Sequence, residues 1–149
     1  MARSTNTQFA VAVHVLTYLA GVSDGHAVNS DELASSANVN PVYVRRVLGP
    51  LRLAGLVRSQ EGAGGGWHLA AAAETITLDQ VWQLLQGTDP VIGIHEPDPS
   101  CATGRGVQES LIAIDHAVAT AVEQSLRAFT LGDVLDSSPR AALTGPPGE

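Results

Sequence analysis

One stretch, residues 28–69, constrains the fold of this chain more than any other, because it places several short elements in a fixed order. Ser30 and Asn40 each precede a short apolar segment, as N-terminal helix caps do. Pro41 falls in the first helical turn, where a missing N–H costs nothing. After these two segments, two strand-like runs flank a glycine-rich loop at 60–66. This order predicts a winged helix-turn-helix.

The second helix of this pair is predicted to begin after Asn40 and to bury valines and leucines spaced three and four residues apart. Pro50 has no N–H to donate to the carbonyl four residues earlier. We therefore expect a bend at Gly49-Pro50 that leaves a straight part over 41–48, and Gly55 as the C-terminal cap.

Outside this stretch the pattern is mainly helical. Residues 5–20 are typical of a buried helix, and Thr77 to Gln80 matches a T-x-x-Q capping box that starts another. Apolar residues recurring at three and four predict a long helix over about 105–128. The expected organisation is a winged helix-turn-helix domain at 1–87, a sensor or linker loop at 88–104, the long helix and a short final helix at 105–136, and a disordered tail at 137–149.

The long predicted helix has an apolar stripe and few charges on its other faces. Such a helix packs against something, and its place beyond a linker favours a partner subunit, so we expect a homodimer. The alternative is that it folds back on its own domain. The expected fold class is mainly α with a small β-wing, namely a winged helix-turn-helix domain plus a long C-terminal dimerisation helix.

Charge is distributed unevenly along the chain. The net charge of −7 argues at first against a nucleic-acid partner. Residues 1–70, however, carry five arginines against four acidic residues (+1), whereas residues 71–149 carry three against eleven (−8). Four of the eight cations lie between Arg45 and Arg58, in a chain without lysine. This local positive patch is compatible with DNA binding through a few well-placed contacts.

The predicted recognition helix carries Arg45 and Arg46 near its N-terminus, where a helix in the major groove meets base edges. We expect one of them to contact a base or a phosphate, and Tyr43 to donate to a phosphate. Arg52 and Arg58 are expected to contact the DNA backbone or to form local ion pairs. An arginine pair on a helix is otherwise a solvated face. The candidate DNA contacts outside the wing are Ser30, Asn40, Pro41, Val42, Tyr43, Arg45, Arg46 and Arg52.

The glycine loop allows three interpretations. A phosphate-binding loop is excluded, because that motif ends in Lys-Ser/Thr and the chain has no lysine. A plain hairpin turn would be shorter. A wing lying along or in the minor groove fits best, and its candidate contacts are Gly64, Gly65, Gly66 and His68.

His95 and Cys101 are the sensor candidates of the loop that precedes the long helix. A metal site would want four ligands, and only one thiolate is available. A Cys–His nucleophile lacks a third catalytic group, so an enzyme is not expected. Two alternatives remain: a loop cysteine packed near the dimer interface, or a thiol whose oxidation or alkylation changes DNA affinity.

The only long apolar run near the N-terminus spans about 12 residues from Phe9, and a membrane-spanning helix needs roughly 20. No signal-peptide pattern is present. The single cysteine excludes an internal disulfide and fits a reducing compartment. We expect a cytoplasmic protein with no membrane partner.

The chain resembles the Rrf2 family of transcriptional regulators through five segments in order: FAVAVHVLTYLA, SDELASSANVNPVYVRRVLGPLRLAGLVRS, GGGWHLA, ITLDQVW and PDPSCATGRGVQESL. The resemblance runs from about Thr5 to Leu135. It implies a homodimer whose long C-terminal helix crosses between subunits. It also implies that the helix from Pro41 enters the major groove and that the wing at 62–66 meets the minor groove.

The sequence departs from the family pattern in two ways. Many relatives hold a [2Fe-2S] cluster through three cysteines in the sensor loop, whereas this chain has only Cys101, so it resembles a cluster-free branch and no cofactor or metal is expected. Basic residues common in the family are replaced by Gln8, Glu61, Ala63 and Ala71. Each missing phosphate contact flattens the salt dependence of DNA affinity by about one unit of slope.

The favoured hypothesis is a sequence-specific DNA-binding transcriptional regulator, a homodimeric repressor that binds an inverted repeat of double-stranded DNA. A redox or small-molecule effector would act at the loop from His95 to Cys101. The alternative is a winged-helix module that binds protein instead of DNA, which the net charge of −7 would fit.

Overall fold

Six α-helices and one two-stranded sheet form the part of the chain that the computed structural model describes, residues 5–138. The helices are α1 (Thr5–Gly21), α2 (Ser30–Ala37), α3 (Pro41–Leu53), α4 (Leu78–Gln86), α5 (Ala102–Leu126) and α6 (Leu131–Ser137), and the strands are β1 (Val57–Gln60) and β2 (Gly66–Leu69). A 3-10 helix, Ala73–Thr75, precedes α4. The predicted fold class, mainly α with a small β-wing, is confirmed.

Helix α1 is the scaffold on which the other elements pack. It contacts α2, α3, α4, α6 and β2. Val15 and Leu16 are completely buried in the core that these elements share. At the N-terminal end, the ring of Phe9 meets the ring of Trp82 in α4 edge to face, with centroids 5.3 Å apart. The prediction of a buried helix over residues 5–20 is confirmed.

The first helix of the pair is capped by Asn29, and the prediction that Ser30 is the cap is wrong. The Asn29 side chain accepts a hydrogen bond of 2.8 Å from the N–H of Glu32. Asn29 has the extended backbone that a cap requires, whereas Ser30 is already the first helical residue. The turn that follows contains Asn38 in the left-handed conformation, with φ 52°.

Helix α3 begins as predicted and ends at Leu53, within two residues of the predicted cap at Gly55. Asn40 caps it by accepting from the N–H of Val42 at 2.8 Å, and Pro41 is its first residue. The expected bend at Gly49-Pro50 does not interrupt the helix, which is continuous to Leu53. The helix buries Val44, Val47, Leu48 and Leu51. This buried face lies on both sides of Pro50, so packing outweighs the single lost hydrogen bond.

The C-terminal end of α3 turns the chain into the sheet. Gly55, with φ 79°, donates its N–H to the carbonyl of Arg52, and Leu56 donates to the carbonyl of Leu51, each at 3.0 Å. This pair of bonds is a Schellman motif, in which the left-handed residue is normally glycine. Ala54 is the capping residue itself, one position before the predicted Gly55.

The strands β1 and β2 form an antiparallel hairpin, which pairs Val57 with Leu69 at one end and Gln60 with Gly66 at the other. The hairpin is also joined to the segment before α2. Val28 exchanges two backbone hydrogen bonds with Trp67, of 2.8 and 3.0 Å. A Cβ on Gly66 would lie 2.4 Å from the carbonyl oxygen of Val28, so this close approach requires glycine.

Helix α4 begins after Thr77, but the predicted capping box does not form. The Thr77 side chain makes no capping hydrogen bond. Its hydroxyl instead interacts with the carboxylate of Asp79, which also pairs with Arg127 at 3.4 Å. The two interactions hold the pKa of Asp79 below its usual value, first through Thr77 and then through Arg127, against the opposing effect of its burial.

The long helix α5 begins at Ala102, earlier than the predicted residue 105, because Cys101 is its cap. After α5 the chain returns to the domain. Leu131 donates to the carbonyl of Ile76 at 2.8 Å, and α6 contacts α1. Ser137 is still helical, and the rest of the predicted disordered tail, 139–149, lies outside the described residues. Within residues 5–138, no helix is long and apolar enough to cross a membrane.

Candidate nucleic-acid interface

The outer face of α3 presents Val42, Arg45 and Arg46 together. They are spaced three and four residues apart, so they share one side of the helix. All three are exposed, and Val42 has 58% of its surface open to solvent. Neither arginine forms an ion pair with any residue of the described part of the chain. Two guanidinium groups are therefore available for phosphates or base edges.

Tyr43 does not share this face, although it was predicted to donate to a phosphate. The residue is half-buried and packs against the core, and its hydroxyl oxygen is buried. The adjacent Val44 and, one turn further on, Val47 are buried, so the inner face of the helix extends to Tyr43. A phosphate outside the protein cannot reach the hydroxyl without a rearrangement of this side chain.

The predicted DNA contacts next to the helix N-termini differ in which hydrogen-bonding groups remain available to DNA. Asn40 is exposed, and its cap uses the side-chain oxygen, which leaves the NH2 group as a donor. Ser30 is half-buried, and its Oγ accepts a hydrogen bond of 3.2 Å from Nε1 of Trp67. Its hydroxyl proton remains available for another acceptor. Pro41 is half-buried and can offer only apolar contact.

The tip of the hairpin is exposed, and the predicted glycines divide between tip and base. Gly62 and Gly64 lie in the loop with positive φ, and their side-chain positions face open space. Gly65 and Gly66 are partly covered, since a Cβ on either would approach a backbone carbonyl oxygen to 2.4 Å or less. His68 is half-buried, with Nε2 2.8 Å from the side-chain oxygen of Gln60.

Two arginines lie near this hairpin. Arg52, a predicted contact, is exposed in the last turn of α3. Arg58 is exposed in β1 directly opposite His68. Neither has an ion-pair partner among residues 5–138. The sequence predicts a DNA-backbone contact or a local ion pair for Arg58, and the pairing register of the strands is what places it opposite His68.

The sensor candidates lie in the loop between α4 and α5. His95 and Cys101 are both exposed. The Cys101 sulfur accepts the N–H of Gly104 at 3.3 Å and so caps α5. The loop also contacts the middle of α5, where the N–H of Ile92 donates a hydrogen bond of 2.7 Å to the carboxylate of Asp115.

Comparison with known proteins decides the family. The model of the Rrf2 family, described as an iron-dependent transcriptional regulator, matches residues 5–137. The chain belongs to the Rrf2 family. This match includes every element named above, from α1 to α6.

Relatives of the family extend over nearly the whole chain. The HTH-type regulator YwnA of Bacillus subtilis is 32% identical over 132 residues, which cover 88% of this chain and 96% of YwnA. The structure of CymR, the global cysteine regulator of B. subtilis, superposes with a TM-score of 0.64 at 25% identity and covers 93% of this chain and 98% of its own. A transcriptional regulator from Lactobacillus plantarum superposes with a TM-score of 0.71 at 25% identity, covering 89% and 92%.

Membership in the Rrf2 family settles the general function. The protein is a DNA-binding transcriptional regulator with a winged helix-turn-helix fold and is not an enzyme. The alternative of a winged-helix module that binds only protein is therefore displaced.

The residues of this chain do not fit an iron–sulfur cluster, although the family description names iron. Cys101 is the only cysteine in the sequence, and its sulfur already caps α5. Across residues 5–138, no group of three or more His, Cys, Asp or Glu side chains is placed to hold a metal ion. Thiolates are the ligands such clusters need, so one chain cannot supply them.

Proposed function

We propose that the protein is a homodimeric repressor of the cluster-free branch, which binds an inverted repeat with α3 in the major groove and the hairpin in the minor groove. The observation that carries the proposal is the face of Val42, Arg45 and Arg46, exposed and without ion pairs in the described chain. Arginine reads guanine O6 and N7, and an exposed valine suits a thymine methyl group.

The hairpin supports a second, weaker contact. Its exposed tip, residues 61–64, has no cation, and Glu61 adds a negative charge there. The tip can therefore approach DNA mainly through backbone N–H groups, which positive-φ glycines leave accessible. It follows that Arg45, Arg46 and Arg52 contribute most of the electrostatic part of the affinity.

Dimerisation through α5 rests on the surface of that helix. None of its 25 residues is buried. Val107, Ile112 and Ile114 are 43–49% exposed, which is unusual for aliphatic side chains on a helix that packs only within its own domain. A second copy of α5 would cover them. A twofold dimer then accounts for an operator made of two inverted half-sites.

Control is proposed at the loop that carries His95 and Cys101. Because the Cys101 sulfur caps α5, oxidation or alkylation would change the size and polarity of the group that accepts the Gly104 N–H in the first turn of the proposed dimer helix. A change at that end would alter the spacing of the two recognition helices. We place this regulator in the cytoplasm, where the chromosomal DNA of bacteria such as those of its relatives lies.

A titration of labelled promoter fragments across a salt series tests DNA binding. We expect Arg45→Ala and Arg46→Ala each to weaken binding, with the salt slope falling by about one for each lost phosphate contact. A lost guanine contact would instead cost about 1–3 kcal/mol on the cognate site alone. Arg105→Ala is the matched control, since Arg105 donates only to the carbonyl of Pro99.

Two outcomes would contradict the proposal. Unchanged affinity and salt slope in both arginine variants would exclude α3 as the reading helix. Transcription that rises when the protein is added to a template carrying its site would exclude a repressor.

A further inference from the structure

A cavity of about 240 Å³ lies between the C-terminal end of α1, the loop from α1 to α2 and the strands of the hairpin. Its apolar lining comes from several elements and includes Leu19, Val28 and Leu69. Its polar lining consists of His26, Arg58 and His68. The cavity is separate from the outer face of α3 and from the sensor loop, because it contains no residue of either.

The charge of this lining has one sign. Arg58 has no ion-pair partner in the described residues, and no acidic side chain lines the cavity. The nearby carboxylate of Asp24 is hydrogen-bonded to Nδ1 of His26. The carboxylate of Glu32 accepts the hydroxyl of Tyr18 at 2.7 Å and also lies 4.0 Å from Nε2 of His26. Neither acid lines the cavity, but both lie beside His26, so the unpaired positive charge of the lining is that of Arg58. An unpaired guanidinium beside a partly apolar cavity is an attractive site for an anion.

From this arrangement we propose that the cavity binds a small organic carboxylate. The carboxylate would pair with Arg58, whose guanidinium has no ion-pair partner among the described residues. The apolar part of the ligand would lie against Leu19 and Leu69. The cavity is smaller than the roughly 300–1,000 Å³ of sites for drug-sized ligands, which favours a ligand of no more than a small ring or short chain.

The position of the cavity gives the ligand a regulatory role. Arg58 and His68 belong to the hairpin, whereas Leu19 and His26 belong to the scaffold helix and its loop. A ligand held between the two therefore favours one placement of the hairpin. If the hairpin contacts DNA as proposed above, ligand and DNA must change each other's affinity by the same factor. This coupling rests on the proposed DNA contact, whereas ligand binding itself does not.

Binding is tested with three probes of similar size: benzoate, neutral benzamide and cationic benzylamine. The protein is the full chain without DNA, and the readout is the NMR signal of the Trp67 indole N–H and of the His26 and His68 rings. We expect saturable shifts with benzoate at millimolar concentrations and none with benzylamine. In Arg58→Gln the affinity for benzoate should fall about tenfold or more, the usual cost of a hydrogen bond to a charged group.

Two further variants distinguish binding of benzoate in the cavity from a nonspecific effect of removing a positive charge. Arg105→Gln removes an arginine that does not line the cavity and should leave benzoate binding unchanged. Val22→Phe adds bulk to a half-buried cavity residue and should abolish binding while the fold, checked by the NMR spectrum, is retained. No saturable shift with benzoate overturns the proposal, and so do equal affinities for benzoate and benzamide or for the parent protein and Arg58→Gln.

The regulatory step is tested separately by DNA titration with and without benzoate. We expect a change in DNA affinity in the parent protein that disappears in Val22→Phe. If benzoate binds but DNA affinity does not change, the cavity remains a ligand site and the contact of the hairpin with DNA is the part that fails.

Discussion

The indole N–H of Trp67 donates to the hydroxyl oxygen of Ser30 across 3.2 Å, and this bond joins the hairpin to the first residue of α2. The main chain of Trp67 is paired with Val28 as well. The two connections use different atoms of the same residue and meet the chain on either side of Asn29. The hairpin and the helix-turn-helix are therefore expected to present their surfaces to DNA as one unit.

The coupling between these two residues can be measured with a double-mutant cycle. Trp67→Phe keeps most of the apolar surface and removes the donor, and Ser30→Ala removes the acceptor. We expect a coupling of about 1 kcal/mol in the free energy of unfolding, as for a typical partly buried hydrogen bond. Ser36→Ala, which removes an exposed hydroxyl bonded to His14, should show no coupling to Trp67→Phe. Additive effects of Trp67→Phe and Ser30→Ala would contradict the bond.

Two glycines should respond to alanine in opposite directions. Gly49 lies inside α3 with open space around its side-chain position, so Gly49→Ala should stabilise the protein by about 0.5–1 kcal/mol. Gly66→Ala would drive a Cβ to within 2.4 Å of the Val28 carbonyl oxygen and should lower the melting temperature. Thermal unfolding of both variants checks the pair. A stabilised Gly66→Ala would exclude the close packing of the hairpin against Val28.

The ion pair of Asp79 with Arg127 should make stability depend on pH in the acid range. Thr77 and Arg127 lower the pKa of Asp79 below its ordinary value of 3.8. A lowered pKa means that the stabilisation is present above pH 3.8 and is lost as the pH falls through the folded-state value. Asp79→Asn should therefore destabilise at neutral pH, of order 1 kcal/mol, with a difference that shrinks below about pH 4. Urea unfolding at several pH values measures this difference in the free energy of unfolding, with Glu109→Gln as the control. If the stability difference between the parent protein and Asp79→Asn grew as the pH fell, the pKa of Asp79 would not be lowered in the folded protein.

The proposed dimer is tested on the exposed face of α5. Ile114→Glu places a charge on a 49% exposed aliphatic position and should convert the dimer to monomer in sedimentation experiments. His116→Glu adds the same charge two residues along, about 200° around the helix, and should leave the dimer intact. A dimer that survives Ile114→Glu would exclude this position from the interface.

The role of Cys101 can be separated into its capping and its redox parts. Serine is a favourable cap, so Cys101→Ser should preserve the start of α5 while it removes the thiol. We expect DNA binding that no longer responds to oxidants or alkylating agents. Cys101→Ala, which removes both functions, should cost about 1 kcal/mol of stability. A response that persists in Cys101→Ser would remove the thiol from the mechanism.

Much of the fold could be predicted from the sequence because it depends on interactions between residues that are close together in the chain. The caps at Asn40 and Pro41, the buried face of α3 and the limits of the hairpin all depend on residues within one or two helical turns. The predictions that the structure corrects are those in which two local signals, or a local signal and the packing of the core, favour different outcomes. Asn29 and Ser30 are both good caps, but in the folded chain Asn29 accepts the N–H of Glu32 while the Ser30 hydroxyl accepts the indole N–H of Trp67. Pro50 would break an isolated helix, but the core on both sides of it keeps α3 intact.

The sequence by itself determined the order of the elements, the arginines of α3 and the absence of the cysteines that an iron–sulfur cluster needs. The tertiary structure decided which residues that are distant in sequence lie in contact. Tyr43 is covered although its helical position was compatible with exposure, and Arg58 faces a cavity with residues from α1 and the α1–α2 loop. The bond between Ser30 and Trp67 joins residues 37 positions apart. Such contacts depend on which faces meet when the helices pack, and no local pattern in the chain encodes that choice.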